Sequence, residues 1–177
     1  MCKIETKRLL LRPIQLEDAE ELFELASVAE VSKYLIWETH KTIEDTLWFV
    51  RDSIKKNRRR KFPIVFLVVL KATGKIIGVK SFTRMDLRKK SAEVGTWLGK
   101  PYWGKGFSTE INLAFIRYGF EKFGLKCIIF CASTANIASW KVAEKLQFEF
   151  ICEKIDKEVG KLKCYTLTRE RWKKIHN

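Results

Sequence analysis

The chain has 177 residues, 46% hydrophobic and 32% charged, with a formal net charge of +14, a composition that fits one globular domain with a proper core. The longest apolar run, Ile64 to Leu70, is too short for a membrane helix and no signal-like segment opens the sequence, so a cytoplasmic protein is expected. The positive excess disfavours polyamine substrates and favours acidic partners such as nucleic acid, an anionic cofactor or an acidic protein.

Residues 3–12, with Leu9 to Leu11 at the centre, predict a strand that stops at Pro13. Ala19, Leu22, Phe23, Leu25 and Ala26 recur at helical spacing and predict a helix over 16–28. A turn and the segment 31–36 lead to an irregular stretch, Trp37 to His40. Thr42 reads as an N-cap for a second helix whose stripe is Ile43, Leu47, Val50 and Ile54. Its end carries the basic run Lys55 to Lys61, which is either a solvated helix end that complements the dipole or a docking surface for an acidic partner. Strands follow over 62–71, 75–84 and 90–98, the first two joined by a Thr73-Gly74 hairpin turn. A helix over 107–123 should stop at Gly124. Then come a buried strand over 125–131, a short helix over 136–146, and a hairpin of strands near 147–155 and 161–168. This order indicates one α/β sandwich over 1–177 with a mixed sheet, locally parallel around the helix that begins at 107.

Five cysteines without a C-x-x-C pair are expected to be reduced, structural thiols, Cys127 and Cys131 sharing one strand face. Two histidines, His40 and His176, leave few ligands for zinc and argue against a Ser-His-Asp hydrolase, so no metal is expected.

The most telling stretch is Tyr102 to Glu110 (YWGKGFSTE), a glycine turn between a strand and an amphipathic helix. Glycines let the backbone approach a ligand, and the N–H groups of the first helical turn favour an anion such as a phosphate. A packing turn that only joins strand to helix is the alternative.

Three blocks together, Thr6 to Leu25, Ala92 to Glu110 and Asn136 to Phe148, resemble the GCN5-related N-acetyltransferase (GNAT) family, and within it the ribosomal-protein N-terminal acetyltransferase branch. The family's Q/R-x-x-G-x-G/A motif falls on Trp103, Gly106 and Ser108, with Trp103 and Ser108 as departures; a WGKG version is similar to the ribosomal-protein branch. The resemblance implies a GNAT-type sandwich: a mostly antiparallel sheet with a splayed parallel central pair and helices on both faces. It implies acetyl-CoA as cosubstrate, its pyrophosphate held by the backbone of Trp103, Gly104, Lys105, Gly106, Phe107, Ser108 and Thr109. Trp97 and Leu98 would bond the pantetheine arm, the Leu98 N–H would polarise the thioester carbonyl, and Asn136 would bond the arm or cap its helix.

For the chemistry, Glu93 is the base candidate, with a carboxylate paired to one of the many lysines as the alternative. The tyrosine acid of many relatives is replaced by Ala143, and the resemblance shifts that role to Ser139, which would hydrogen-bond the departing sulfur. Trp37 and Glu38 resemble the acceptor wall of the family, although Trp37 also suits a core. Gln147 stands where the family has glycine; a positive φ there would cost on the order of 1 kcal/mol. The expected reaction is transfer of an acetyl group to a protein N-terminal amine, of an acidic or ribosome-associated protein, by an enzyme that is cytoplasmic and in this branch sometimes a homodimer. The alternatives are acetylation of a small amine and a non-catalytic nucleic-acid-binding module.

Overall fold

The computed structural model describes residues 2–176. In chain order the elements are β1 (Ile4–Glu5), β2 (Leu9–Pro13), α1 (Ala19–Ala26), α2 (Ala29–Ser32), α3 (Ile43–Arg58), β3 (Val65–Leu70), β4 (Ile76–Asp86), β5 (Ser91–Leu98), α4 (Phe107–Lys122), β6 (Cys127–Ser133), α5 (Ile137–Lys145), β7 (Glu149–Asp156), β8 (Gly160–Thr168) and α6 (Arg169–His176). The strands form an eight-stranded sheet in the order β1-β2-β3-β4-β5-β6-β8-β7. The described pairs are antiparallel except β5 with β6, which run parallel from Ser91↔Cys127 to Glu93↔Ile129. This is the mixed, mostly antiparallel α/β sheet with flanking helices that the sequence predicts. No described helix is long and apolar enough to cross a membrane.

The described residues fall into two compact units. One holds the residues up to Ser81 together with Thr96–Ile111. β3 (VFLVVL) is apolar without alternation because both its faces are covered, and all but Leu70 are buried. α3 starts as predicted: Thr42 is extended, and Asp45 Oδ2 accepts from the N–H groups of Lys41 (2.9 Å) and Thr42 (3.0 Å). The helix buries Thr46, Val50 and Ser53. At its far end Asn57 Oδ1 accepts from Ile64 N–H (2.8 Å) and Val65 N–H (3.0 Å), which ties the basic segment to the start of β3.

The other unit holds Phe82–Gly95 and the residues from Asn112 onward. Its aromatic centre packs Phe82 against Phe115, ring centroids 4.3 Å apart. Gly119 makes that packing possible, since a Cβ there would lie 2.8 Å from Phe82 Cζ. α4 ends before Gly124, whose φ of 62° takes the left-handed conformation expected of a helix terminator. β7 and β8 form the predicted hairpin, from Glu149↔Thr166 to Asp156↔Gly160.

Four features differ from the sequence reading. Cys131 and Cys164 form a disulfide, Cα atoms 4.3 Å apart, rather than remaining reduced, because β6 and β8 pair in a register that sets them directly opposite. Cys2, Cys127 and Cys152 take part in no disulfide among the described residues. The predicted first strand is two strands, β1 and β2, and the first helix opens with a 3-10 turn over Leu16–Asp18. There the Asp18 carboxylate takes both ends of the Arg12 guanidinium, at 2.6 and 2.8 Å. A terminal helix, α6, was not expected: its only buried side chain is Trp172, so no apolar stripe marks it.

Candidate active site

In the first unit the site is built on the end of β5 and the turn that follows. At Gly78 the β4 backbone comes so close to β5 that a Cβ there would overlap the Trp97 carbonyl oxygen and lie 2.8 Å from Leu98 Cα. Gly99 N–H then donates to the Ile77 carbonyl at 2.9 Å. A 3-10 turn over Lys100–Tyr102 leads into Trp103, whose indole Nε1 donates to the Leu98 carbonyl at 2.7 Å. Trp103 thus ties the glycine turn to β5, and 46% of it remains exposed. Gly104 and Gly106 have φ of 72° and 76°, conformations in which any side chain is strained, and nothing lies within 4 Å of a Cβ placed on Gly104. α4 opens immediately after them at Phe107, so the exposed glycine turn sits at the positive end of a helix dipole.

Arg8 is a component that the motif alone did not reveal. Its Nε lies 2.7 Å from Glu110 Oε2, its Nη1 donates to the Lys105 carbonyl at 3.0 Å, and its guanidinium carbon lies 4.4 Å from the centre of the Phe107 ring. Glu110 Oε1 also accepts from the backbone N–H of Arg8 at 2.8 Å and from the Thr6 hydroxyl. Burial alone would raise the Glu110 carboxyl, but the Thr6 and Arg8 hydrogen bonds and the Arg8 charge outweigh it and hold it below the usual carboxylate range. Arg8 therefore braces the turn and adds a cation beside it. Thr6 and Arg8 lie in the opening block of the sequence, but their partner is about a hundred residues away.

Trp37 lies 5.4 Å from Trp97 and 5.1 Å from His40, ring centre to ring centre, which places the expected acceptor residue beside the strand end. An open surface depression of about 520 Å³ lies on the α2 side of Trp37, lined by Trp37, Glu38, Thr39, Lys41, Ser32 and Lys33 among others. His40 Nδ1 pairs with the Thr46 hydroxyl at 2.8 Å, and burial pushes the imidazole below its ordinary value against the opposing charge of Asp45. Lys80 was also not anticipated. It is fully buried, donates from Nζ to Thr96 Oγ1 at 2.8 Å, and is driven well below the usual lysine range by burial.

The second unit carries the expected chemical groups. Glu93 lies on β5 where it pairs with β6; its side chain is 20% exposed, with Oε2 3.7 Å from Arg84 Nη1. Arg84 also reaches Asp156, at 4.0 Å. The cation near Glu93 is thus an arginine, not the lysine of the alternative, and it stands farther off than a hydrogen bond. Asn136 caps α5, its Oδ1 accepting from Ser139 N–H at 3.2 Å. That bond leaves the two amide hydrogens of Asn136 available to a ligand. Asn136 and Ser139 share the first turn of α5, and Ala143, at the position of the missing tyrosine, is fully buried.

Comparison with known proteins adds to this geometry. The model of the "Acetyltransferase (GNAT) domain" matches residues 8–149. An uncharacterized N-acetyltransferase of Bacillus licheniformis, p20, is 32% identical over 147 residues, which covers 81% of this chain and 80% of that protein. A Bacillus subtilis (strain 168) relative, YdaF, provisionally named a ribosomal N-acetyltransferase, is 28% identical over 83% of this chain and 80% of its own length. The solved GNAT-family acetyltransferase from Bacillus anthracis superposes with a TM-score of 0.83 at 25% identity, over 96% of this chain and 99% of that one. RimL, a ribosomal L7/L12 alpha-N-protein acetyltransferase solved with coenzyme A, shares the fold with a TM-score of 0.81 at 18% identity, over 96% and 99% of the two chains. A glycine cradle at a helix start, on a mixed sheet of this topology, coincides with sequence likeness over most of the chain: the protein belongs to the GNAT family and is an acetyl-CoA-dependent N-acetyltransferase.

Proposed function

We propose that residues 1–177 act as a single catalytic domain that moves the acetyl group of acetyl-CoA to a primary amine, most directly a protein N-terminal α-amine of the ribosomal type. The observation that carries the reading is the Trp37–Trp97 contact, which puts one aromatic ring of the expected acceptor wall against the strand expected to hold the thioester, with Glu38 next to Trp37 in the chain and lining the same surface depression. An aromatic face with a carboxylate suits the protonated end of a peptide. The name of YdaF and the activity of RimL support the ribosomal branch. The charge of +14 suits an acidic acceptor or ribosome-rich surroundings in the cytoplasm, and a homodimer is compatible with the same branch.

In this mechanism the backbone of Trp103 to Thr109, with Arg8 beside it, holds the pyrophosphate. Trp97, Leu98 and the amide of Asn136 bond the pantetheine arm. Glu93 removes the proton from the amine, directly or through water; its single 3.7 Å approach to Arg84 leaves carboxylate lone pairs for that task. The amine nitrogen attacks the thioester carbonyl, the Leu98 N–H stabilises the oxyanion, and the C–S bond breaks with Ser139 hydrogen-bonding the departing sulfur. The nitrogen loses a second proton as the intermediate collapses; of the two protons one ends on the thiolate and the other passes from Glu93 to solvent, giving free coenzyme A and the amide.

A second reading is a small-molecule amine as acceptor, seated in the open depression lined by Trp37, Glu38 and Thr39. Thiol release from acetyl-CoA across a panel of peptides and small amines separates the two. Release with peptides, abolished when their N-termini are blocked, is expected. Release with small amines alone overturns the peptide reading.

A further inference from the structure

We propose that the exposed face of α3, from Trp48 to Arg59, is a docking surface for single-stranded RNA, separate from the acetyl-transfer site. Trp48, Arg51, Lys55, Arg58 and Arg59 recur at three- and four-residue spacing, so they follow one side of the helix for about 16 Å. The opposite side is fixed to the protein through Thr46, Val50, Ser53 and the hydrogen bonds of Asn57. The exposed face is therefore rigid and cannot turn inward.

Two observations distinguish this face from an ordinary solvated helix end. Trp48 is 69% exposed, an expensive position for a large flat ring, and has no ring contact among the described residues. Arg51, Lys55, Arg58 and Arg59 have no acidic partner among the described residues, while Asp52 on the same side is held by Lys56 at 2.5 Å. Complementing the helix dipole accounts for cations in the last turn only. It explains neither Arg51 nor Trp48, which lie further back.

The side chains select the partner. Arginine forks pair with phosphate or carboxylate alike, so the charges alone leave nucleic acid and acidic protein equivalent. Trp48 decides between them. A nucleobase stacks on an exposed indole, and any base will do, whereas the carboxylates of an acidic peptide meet the negative face of that ring. Arginines interleaved with a stacking platform are the composition by which single strands are bound without sequence preference. None of these residues belongs to the glycine turn, the acceptor cavity or α5, so this surface stands or falls independently of the acceptor.

The test is fluorescence anisotropy of a short labelled oligouridylate titrated with the full chain at several salt concentrations, beside a polyglutamate of similar charge. Replacing Arg51, Arg58 and Arg59 together by alanine should weaken RNA binding at least tenfold at low salt. It should also lower the salt slope by about 2, from roughly 0.7 for each phosphate that is no longer neutralised. Trp48→Ala should weaken binding about fivefold or more with the slope unchanged. Lys173→Ala with Lys174→Ala, on exposed positions of α6, should leave binding within about twofold, as expected for charges outside the bound strand's path. Acetyl-CoA turnover should be the same in every variant, which also verifies that each folds. Absence of RNA binding by the unaltered chain overturns the proposal. So does an α6 variant that weakens binding as much as the α3 variant, which would assign the binding to net charge. Polyglutamate binding as tight as that of RNA, and insensitive to Trp48, would assign the face to an acidic protein instead.

Discussion

The glycine turn before α4 and the first turn of α5 are both helix starts, and they are held in opposite ways. The turn is braced from outside: Arg8 and Thr6 on Glu110, Arg8 on the Lys105 carbonyl, Trp103 on Leu98. α5 is capped from within by Asn136, a residue of its own first turn. The first design fixes backbone N–H groups in space and exposes almost no chemistry of its own. The second leaves an amide and a hydroxyl at the surface of a short helix. Binding of an anion needs a rigid backbone, and assistance to a leaving group needs a side chain within reach; the proposed roles of the two regions follow that line.

This division is open to direct attack by mutation. Ser139→Ala should have the largest effect: a fall in kcat of about a hundredfold, on the scale of removing one transition-state hydrogen-bond donor, with KM for acetyl-CoA unchanged. The backbone cap is retained and alanine favours helix, so folding is preserved. An unchanged kcat would remove Ser139 from the chemistry. Gly106→Val should do the reverse, raising KM for acetyl-CoA about tenfold through the cost of a β-branched residue at positive φ, with kcat little altered. Equal losses in kcat and in kcat/KM for both variants would erase the distinction between the two regions.

Glu110→Gln probes the brace. The native carboxyl sits below its usual range, so its stabilisation is complete above the unfolded value and is lost as pH falls through the lower folded value. The variant should be less stable by roughly 1.5–2 kcal/mol at neutral pH, the lower end of the scale for hydrogen bonds to a charged group, and its melting temperature should converge on that of the native chain in acid. Parallel curves from neutral pH into acid would show that Glu110 is not the group responsible. The smallest effect is expected from Gln147→Gly. Gln147 has a φ of 59°, so glycine should stabilise by about 0.5–1 kcal/mol, a rise of roughly 1–4 °C by differential scanning calorimetry, with kinetics unchanged.

The elements easiest to read from the sequence were those whose signals are local. Thr42 and Gly124 sit at the helix boundaries their side chains favour, and the β7–β8 hairpin follows from two strand patterns with a turn between them. The glycine turn was legible for the same reason. Pairings between distant residues were not. Arg8 meets Glu110 about a hundred positions away, and Cys131 meets Cys164 only because of a strand register that no local pattern encodes. Lys80 reads as one of many surface lysines until β4 is seen to be covered. α6 escaped because one tryptophan, stacked on His176 at 3.7 Å, anchors an otherwise polar segment.

The disulfide between Cys131 and Cys164 closes a loop with a sequence separation of 33, and that loop contains all of α5 and β7. In the unfolded chain such a closure removes conformational freedom worth about 4 kcal/mol by loop-entropy estimates. Asn136 and Ser139 both lie inside it. The segment with the groups assigned to the departing sulfur is thus leashed at both ends, so under oxidising conditions it has far less chain disorder to lose each time the protein refolds.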